Sequence, residues 1–319
     1  MDEFLKLVKS KFVRMDKYNA YDRELLKFAM EYNLTKQMSC VELCKVIEEI
    51  AKFNPSIALS LTAHHLALNC LKDHELSKRD GFFAFAITER IGSNIKAVET
   101  LAEDKDGFYV VRGVKKFVTN AEFAEVFVVT AKHGEKVLVF AVEKDFVKTE
   151  KINISCFRGS GIGKIYINAE IPKENLVGSL GLVISALVES RVVFSSLALG
   201  IAERCFELAL SRAKRRGLIE NRGIRWRFAD VKAEIEILKN FVLKTAKNAD
   251  RKDITVDSAI CKLKASELAK VSADLAVEIF GARGLIMHSL PEIFYRYAKA
   301  LDIGEGTTEI MREIVSHHF

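Results

Sequence analysis

Two glycines flank a single carboxylate in the stretch Asp302-Ile303-Gly304-Glu305-Gly306-Thr307-Thr308-Glu309-Ile310. On such a bend, neighbours without side chains leave room for a substrate, and Glu305 can act as a general base. The plainer alternative is a glycine turn with Glu305 in water. Either way a terminal helix follows, which Thr307 or Thr308 can cap and whose first turn suits Glu309. A second stretch, Ala86-Ile87-Thr88-Glu89 followed by Gly92-Ser93-Asn94, ends a strand with small residues that let backbone approach a flat or anionic ligand; spacing alone favours an ordinary polar turn. The run Arg212, Lys214, Arg215, Arg216 ends a long helix, where it either complements the helix dipole or gathers around a phosphorylated cofactor. Arg158-Gly159-Ser160-Gly161-Ile162-Gly163 superficially resembles a dinucleotide loop, but that loop must open a helix and this one leads into a strand pattern, so a β-turn is the better reading. His64 and His65 are neighbours on an apolar helix and point in different directions. They make poor joint metal ligands and read as one core and one surface histidine; no metal site is expected.

The elements that must position these residues fall into three blocks. Residues 1–80 read as helices, with Phe4, Leu5, Val8 and Phe12 at helical spacing and a segment at 56–71 that is apolar almost all round, hence buried. From Gly81 short aromatic and β-branched runs take over (FFAFAIT, GFYVVRG, KKFVTN, EVFVVTA, KVLVFAV, KIYINAEI), with turns at Asp106-Gly107 and His133-Gly134. No helical pattern separates them, which indicates an antiparallel sheet or barrel and argues against a Rossmann unit. From Leu182 the helical period returns, giving long helices over 182–215, 227–248, 254–280 and 291–318 and so a bundle. The predicted domains are therefore 1–80, 81–180 and 181–319.

Composition excludes several function classes. With 49% apolar and 29% charged residues the chain is an ordinary globular one, and its net charge of +6 is too small and dispersed for a nucleic-acid partner. The six cysteines include no second pair at a zinc-type spacing and read as reduced, buried thiols of a cytoplasmic protein. The first residues, MDEFLKLVKSKF, are amphipathic and carry acids, unlike a signal peptide. No run of about 18 apolar residues is evident, so no membrane span is expected.

At the Glu305 stretch the chain resembles the acyl-CoA dehydrogenase family, whose Tyr-Glu-Gly-Thr element appears as Gly304-Glu305-Gly306-Thr307. Further elements follow in the family's order: Ile87-Thr88-Glu89 with Gly92-Ser93-Asn94, then Gly113-x-Lys115 ahead of Phe117-Val118-Thr119-Asn120, then Arg158-Gly159-Ser160, Ile171 to Gly178, Glu189-Ser190-Arg191, and Phe280-Gly281-Ala282-Arg283-Gly284. The resemblance covers about residues 40 to 319. It implies a helical N-terminal domain, an antiparallel β-barrel-like middle domain and a C-terminal four-helix bundle. It also implies FAD as cofactor, an acyl-CoA substrate, an acceptor such as an electron-transfer flavoprotein, and a homodimer or homotetramer. Glu305 would be the catalytic base. Ile87, Thr88, Phe117, Val118, Thr119 and Thr307 would contact flavin, and Arg216, Gly281 and Ala282 would reach it from a neighbouring subunit. Ser93, Arg191 and Gly306 would lie by the substrate. The chain departs from the pattern at Arg90 for proline, Phe117 for tryptophan, Gly304 for tyrosine and Ala282 for glycine, and Arg216 lacks its usual following Phe-Gly, so flavin should be held less tightly than is usual. Two other readings stand beside dehydrogenation: a flavin-poor binding or assembly scaffold, and an oxidase or monooxygenase on the same fold.

Overall fold

The computed structural model describes residues 2–92 and 94–319. Four helices come first: α1 (Asp2–Tyr18), α2 (Arg23–Glu31), α3 (Cys40–Ala51) and α4 (Pro55–Cys70). Local sequence sets their starts. Ser39 and Glu42 form a reciprocal capping box at α3, and Asn54 caps α4 with Pro55 at the first helical position. The all-round apolar α4 is buried along nearly its whole length. Both His64 and His65 are buried with it, so the surface histidine expected above does not exist: the Nε2 atoms meet the carbonyls of Thr35 and Leu34 at 2.9 and 2.8 Å.

Eight strands follow: β1 (Phe82–Ala86), β2 (Leu101–Asp104), β3 (Phe108–Val118), β4 (Ala124–His133), β5 (Lys136–Glu143), β6 (Val147–Lys151), β7 (Gly163–Pro172) and β8 (Leu176–Ser179). They make one curled sheet in the order β6-β7-β3-β2-β4-β5-β8, with β1 paired to β4 off that path. Most pairings are antiparallel as expected, but β1 and β2 both run parallel to β4. The alternation of the strands sorts their side chains to two cores. Phe127, Val129, Phe140 and Val142 face the inside of the curl, while Val126, Val128, Val139 and Ala141 face α4 and the next helix. The Arg158-Gly159-Ser160 run is a turn leading into β7, with Ser160 Oγ donating to the Phe157 carbonyl at 2.6 Å, so the β-turn reading holds.

The remaining helices are α5 (Leu180–Arg215), α6 (Arg222–Lys247), α7 (Thr255–Phe280), α8 (Leu290–Ala300) and α9 (Thr308–Ser316). The helical stretch over 291–318 is divided by the turn that carries Glu305, as the glycine bend ahead of a terminal helix implied. The long α5 corrects another expectation: it has the length and apolarity of a membrane span, with 72% of its most apolar window buried inside the fold. It is the central helix of the protein. Gly200 brings α3 against it, since a side chain there would strike the Glu48 carbonyl. One hydrophobic core joins α1–α4 to α5–α8.

Candidate active site

The turn between α8 and α9 holds Glu305 in the left-handed region, at φ +57°, with Gly306 beside it at φ +97°. A non-glycine residue pays about 1–2 kcal/mol for that conformation, so its surroundings must enforce it. They do so from two sides. From α5, Arg191 Nε donates to the Glu305 carbonyl at 3.4 Å. From α7, Lys262 Nζ donates to the Gly306 carbonyl at 2.5 Å, Ser266 Oγ to the Leu301 carbonyl at 3.1 Å, and Lys270 Nζ to the Asp302 carboxylate at 2.9 Å. A side chain at Gly306 would lie 2.8 Å from Met311 Cε.

The Glu305 carboxylate itself is poorly served. Oε2 is buried and has no hydrogen-bond partner among the described residues. Burial lifts its pKa to about 7, against the opposing pull of Arg191, Ser190 and Lys262. Ser190 is close enough to act on the charge, yet its Oγ also makes no hydrogen bond of good geometry. The Glu305 N–H is likewise without a partner among the described residues. The turn therefore presents a carboxylate that titrates near neutrality beside an uncommitted backbone donor. That pairing can take a proton and stabilise the oxyanion created by its loss.

A second cluster forms where strands end. Thr88 follows β1, and its carbonyl accepts from Lys116 N at 2.8 Å. The pairing of β3 with β7 shifts register between Lys115 and Val118, and Phe117 sits in that irregularity at φ +55° with 58% of its surface exposed. Val118 points the other way, into the interior of the sheet, so only its backbone is free to meet a ligand. Thr119 is half-buried in the turn that follows. Asn120 secures this turn by donating from Nδ2 to the carbonyls of Ser60 on α4 and Phe83 on β1, both at 2.9 Å. Beneath it lies an ion pair that motif reading passed over. Lys115 Nζ meets Glu89 at 2.6 Å, and Glu89 also accepts from Thr100 Oγ1 at 2.6 Å. Burial pushes the Glu89 carboxyl up, but its hydrogen bonds to Lys115 and Thr100 outweigh that and hold it below its ordinary value. The pair ties the chain after β1 to the sheet.

The third cluster stands at the far end of α5. Arg212 lies over the Phe280 ring, 5.8 Å from its centre, and its Nε is buried without a partner among the described residues. Desolvation and the charges of Arg283, Arg216 and Arg215 hold it below its ordinary pKa. Arg216, Gly281 and Ala282 are exposed there, with open space around Gly281. Arg191 and Arg216 are 25 residues apart on one helix line, about 38 Å at ~1.5 Å per residue.

Of the residues singled out from sequence, Glu305, Arg191 and Gly306 come together at the turn. Thr307 caps α9 beside them, its Oγ1 accepting from Ile310 N at 3.4 Å. Ile87, Thr88, Phe117 and Thr119 lie at or beside the strand ends, whereas Arg216, Gly281 and Ala282 form the separate cluster. Ser93 falls outside the described residues. Lys262 was not anticipated. The signal for it was a lysine on the small-residue stripe Ala259, Ala265, Ala269 of α7, where a charge needs a reason to be buried.

The chain is similar to known proteins over most of its length. The family description "Acyl-CoA dehydrogenase, middle domain" matches residues 84–166, and "Acyl-CoA dehydrogenase, C-terminal domain" matches residues 180–319. The chain is 31% identical over 265 residues to "Acyl-CoA dehydrogenase" of Bacillus subtilis, covering 76% of this chain and 69% of that one. The solved butyryl-CoA dehydrogenase from Megasphaera elsdenii superposes with a TM-score of 0.91 at 25% identity, covering 99% of this chain and 97% of that one. A structure described as "Electron transferring flavoprotein of Acidaminococcus fermentans: Towards a mechanism of flavin-based electron bifurcation" gives 0.90 at 23% identity, covering 100% and 98%.

Proposed function

Because the chain belongs to the acyl-CoA dehydrogenase family of FAD-dependent oxidoreductases, we propose that it removes two hydrogens from an acyl-CoA thioester to give the 2-enoyl-CoA, with Glu305 as the base. The observation that carries this reading is the buried Glu305 Oε2, held near neutrality and, like the N–H of the same residue, without a hydrogen-bond partner among the described residues.

A proton α to a thioester is only weakly acidic, so the base must be matched to it and the developing enolate stabilised. A carboxylate titrating at about 7 is strong enough to take that proton and is largely ionised just above neutrality. The Glu305 N–H would donate to the thioester oxygen as negative charge grows there. Arg191 and Lys262 hold the turn by its carbonyls, so neither donor competes for the reacting oxygen of Glu305. When bound, FAD supplies the two-electron acceptor for the hydride that leaves the β carbon.

The chain's residues fit that cofactor. Phe117 shows an uncovered ring on an irregular strand end, as a flat ring system needs, and Thr88 and Thr119 border it. Arg212 Nε lacks an acceptor in the arginine cluster, as a pyrophosphate site would leave it. The 38 Å along α5 makes Arg216, Gly281 and Ala282 candidates to serve the site of a neighbouring subunit, which supports a homodimer or homotetramer. An electron-transfer flavoprotein is the proposed acceptor. The free, buried state of all six cysteines accords with a cytoplasmic location.

The test is anaerobic bleaching of the bound flavin by a panel of straight-chain acyl-CoA thioesters. Glu305→Gln should keep flavin and fold while slowing bleaching by on the order of 100- to 10,000-fold. Bleaching by the variant at near-normal rate would overturn the assignment of the base.

A further inference from the structure

The buried lysine on α7 takes no part in the reaction as written, yet its ammonium is hydrogen-bonded to the residue next to the base. Lys262 is fully buried, and its ammonium ends on the Gly306 carbonyl at 2.5 Å. It is the first rung of a ladder. Lys262, Ser266 and Lys270 lie at four-residue intervals, hence on one face of α7. They meet, in turn, the Gly306 carbonyl, the Leu301 carbonyl and the Asp302 carboxylate. The turn from Leu301 to Gly306 is thereby fastened at three points along one helix. It needs fastening, because Glu305 is left-handed and has a glycine on each side.

We propose that Lys262 is the positioning residue of the base: its ammonium clamps the Gly306 carbonyl, fixing the left-handed Glu305 peptide, and its charge acts across the site on the Glu305 carboxylate. This rests on the reading of Glu305 as base. Lysine suits both tasks, since one buried ammonium supplies a charge-assisted hydrogen bond and a point charge at a place water does not screen.

The charges around Lys262 define the balance. Arg191 faces it from α5, and Asp302, Glu305 and Glu309 face it from the turn and the start of α9. Burial pulls its pKa down to about 8, against the supporting pull of Asp302 and Glu305. Lys262 therefore remains largely charged at pH 7, where Glu305 is half-ionised, and helps keep Glu305 from rising further. Loss of that charge should raise the Glu305 midpoint, and loss of the clamp should loosen the turn.

The experiment titrates Glu305 directly, by carboxyl NMR of protein labelled with 13C at glutamate Cδ, the Glu305 signal being the one that Glu305→Gln removes. In Lys262→Met the midpoint should move upward by about one pH unit. Amide exchange of residues 303–309, read by mass spectrometry, should quicken at least about tenfold. Lys262→Arg, which restores charge and donor, should return both values most of the way. Lys262→Gln should slow exchange again while leaving the midpoint high, because it keeps a donor without the charge. Anaerobic flavin reduction in Lys262→Met should fall by on the order of 10- to 100-fold, with its acid limb displaced upward alongside the titration. An unmoved midpoint together with unmoved exchange in Lys262→Met would overturn the proposal. Should that variant fail to fold, equal midpoints in the Arg and Gln variants would overturn it instead. Titration and exchange do not depend on turnover. A wild-type protein inert to acyl-CoA would thus refute dehydrogenation, while the clamp would be judged by the midpoint and exchange alone.

Discussion

Replacing Glu305 by glutamine should make the protein more stable, and only above acid pH. The wild-type carboxyl has an ordinary value of 4.5 and a folded value of about 7, lifted by burial. A group whose pKa is raised on folding favours the folded state at low pH and loses that contribution as pH rises through the folded value. Here the window runs from about 4.5 to about 7. The gap of roughly 2.5 pH units, at ~1.36 kcal/mol each, sets a ceiling of about 3 kcal/mol of lost stability above neutrality. Glutamine has the same shape and cannot ionise, so it escapes this loss. Urea unfolding of wild type and Glu305→Gln should therefore give nearly equal stabilities at pH 4.5 and a gap of about 1–3 kcal/mol in favour of the variant at pH 8. Contributions that do not depend on pH, such as a changed hydrogen bond, shift both ends alike and drop out of the comparison. A gap that is the same at both ends would mean that Glu305 titrates no differently in the folded protein, and the argument from its burial would fail.

Two other outcomes follow from the structure. Asp16 is fully buried on α1 and accepts from Tyr297 Oη at 3.0 Å, Arg296 at 2.9 Å and His288 Nδ1 at 2.7 Å; Asp16→Ala should cost about 3–5 kcal/mol by leaving buried donors unpaired, measured as a lowered urea midpoint. Phe117→Ala should leave the midpoint within about 0.5 kcal/mol of wild type, because the ring is mostly exposed, yet weaken flavin binding by about two- to tenfold in a fluorescence titration.

Glu305 could be read from sequence because its signal is local: a carboxylate between two glycines, followed by a threonine cap. The strands were legible for a similar reason, since β4 and β5 carry a two-residue alternation that each face reads as its own core. What escaped was set by contacts distant in the chain. The parallel alignment of β1 with β4 joins Phe82 to Ala124 across the two intervening strands β2 and β3, and no local pattern encodes it. One of His64 and His65 was expected at the surface because neighbouring positions on a helix usually divide between core and surface, but α4 is covered on all sides and both are buried. Lys262 went unread, since its burial depends on where the carbonyl of a residue 44 positions later comes to lie.

The shared core of the first four helices and α5–α8 has a consequence for how the chain is made. During synthesis α4 leaves the ribosome about 110 residues before the start of α5. At roughly 5–20 residues per second, that is a wait of about 5–20 s. Throughout it a helix apolar on every side has no partner from the later helices. The nascent N-terminal third should therefore be a client for chaperone holdases, and a ribosome stalled near residue 170 should display an aggregation-prone stub.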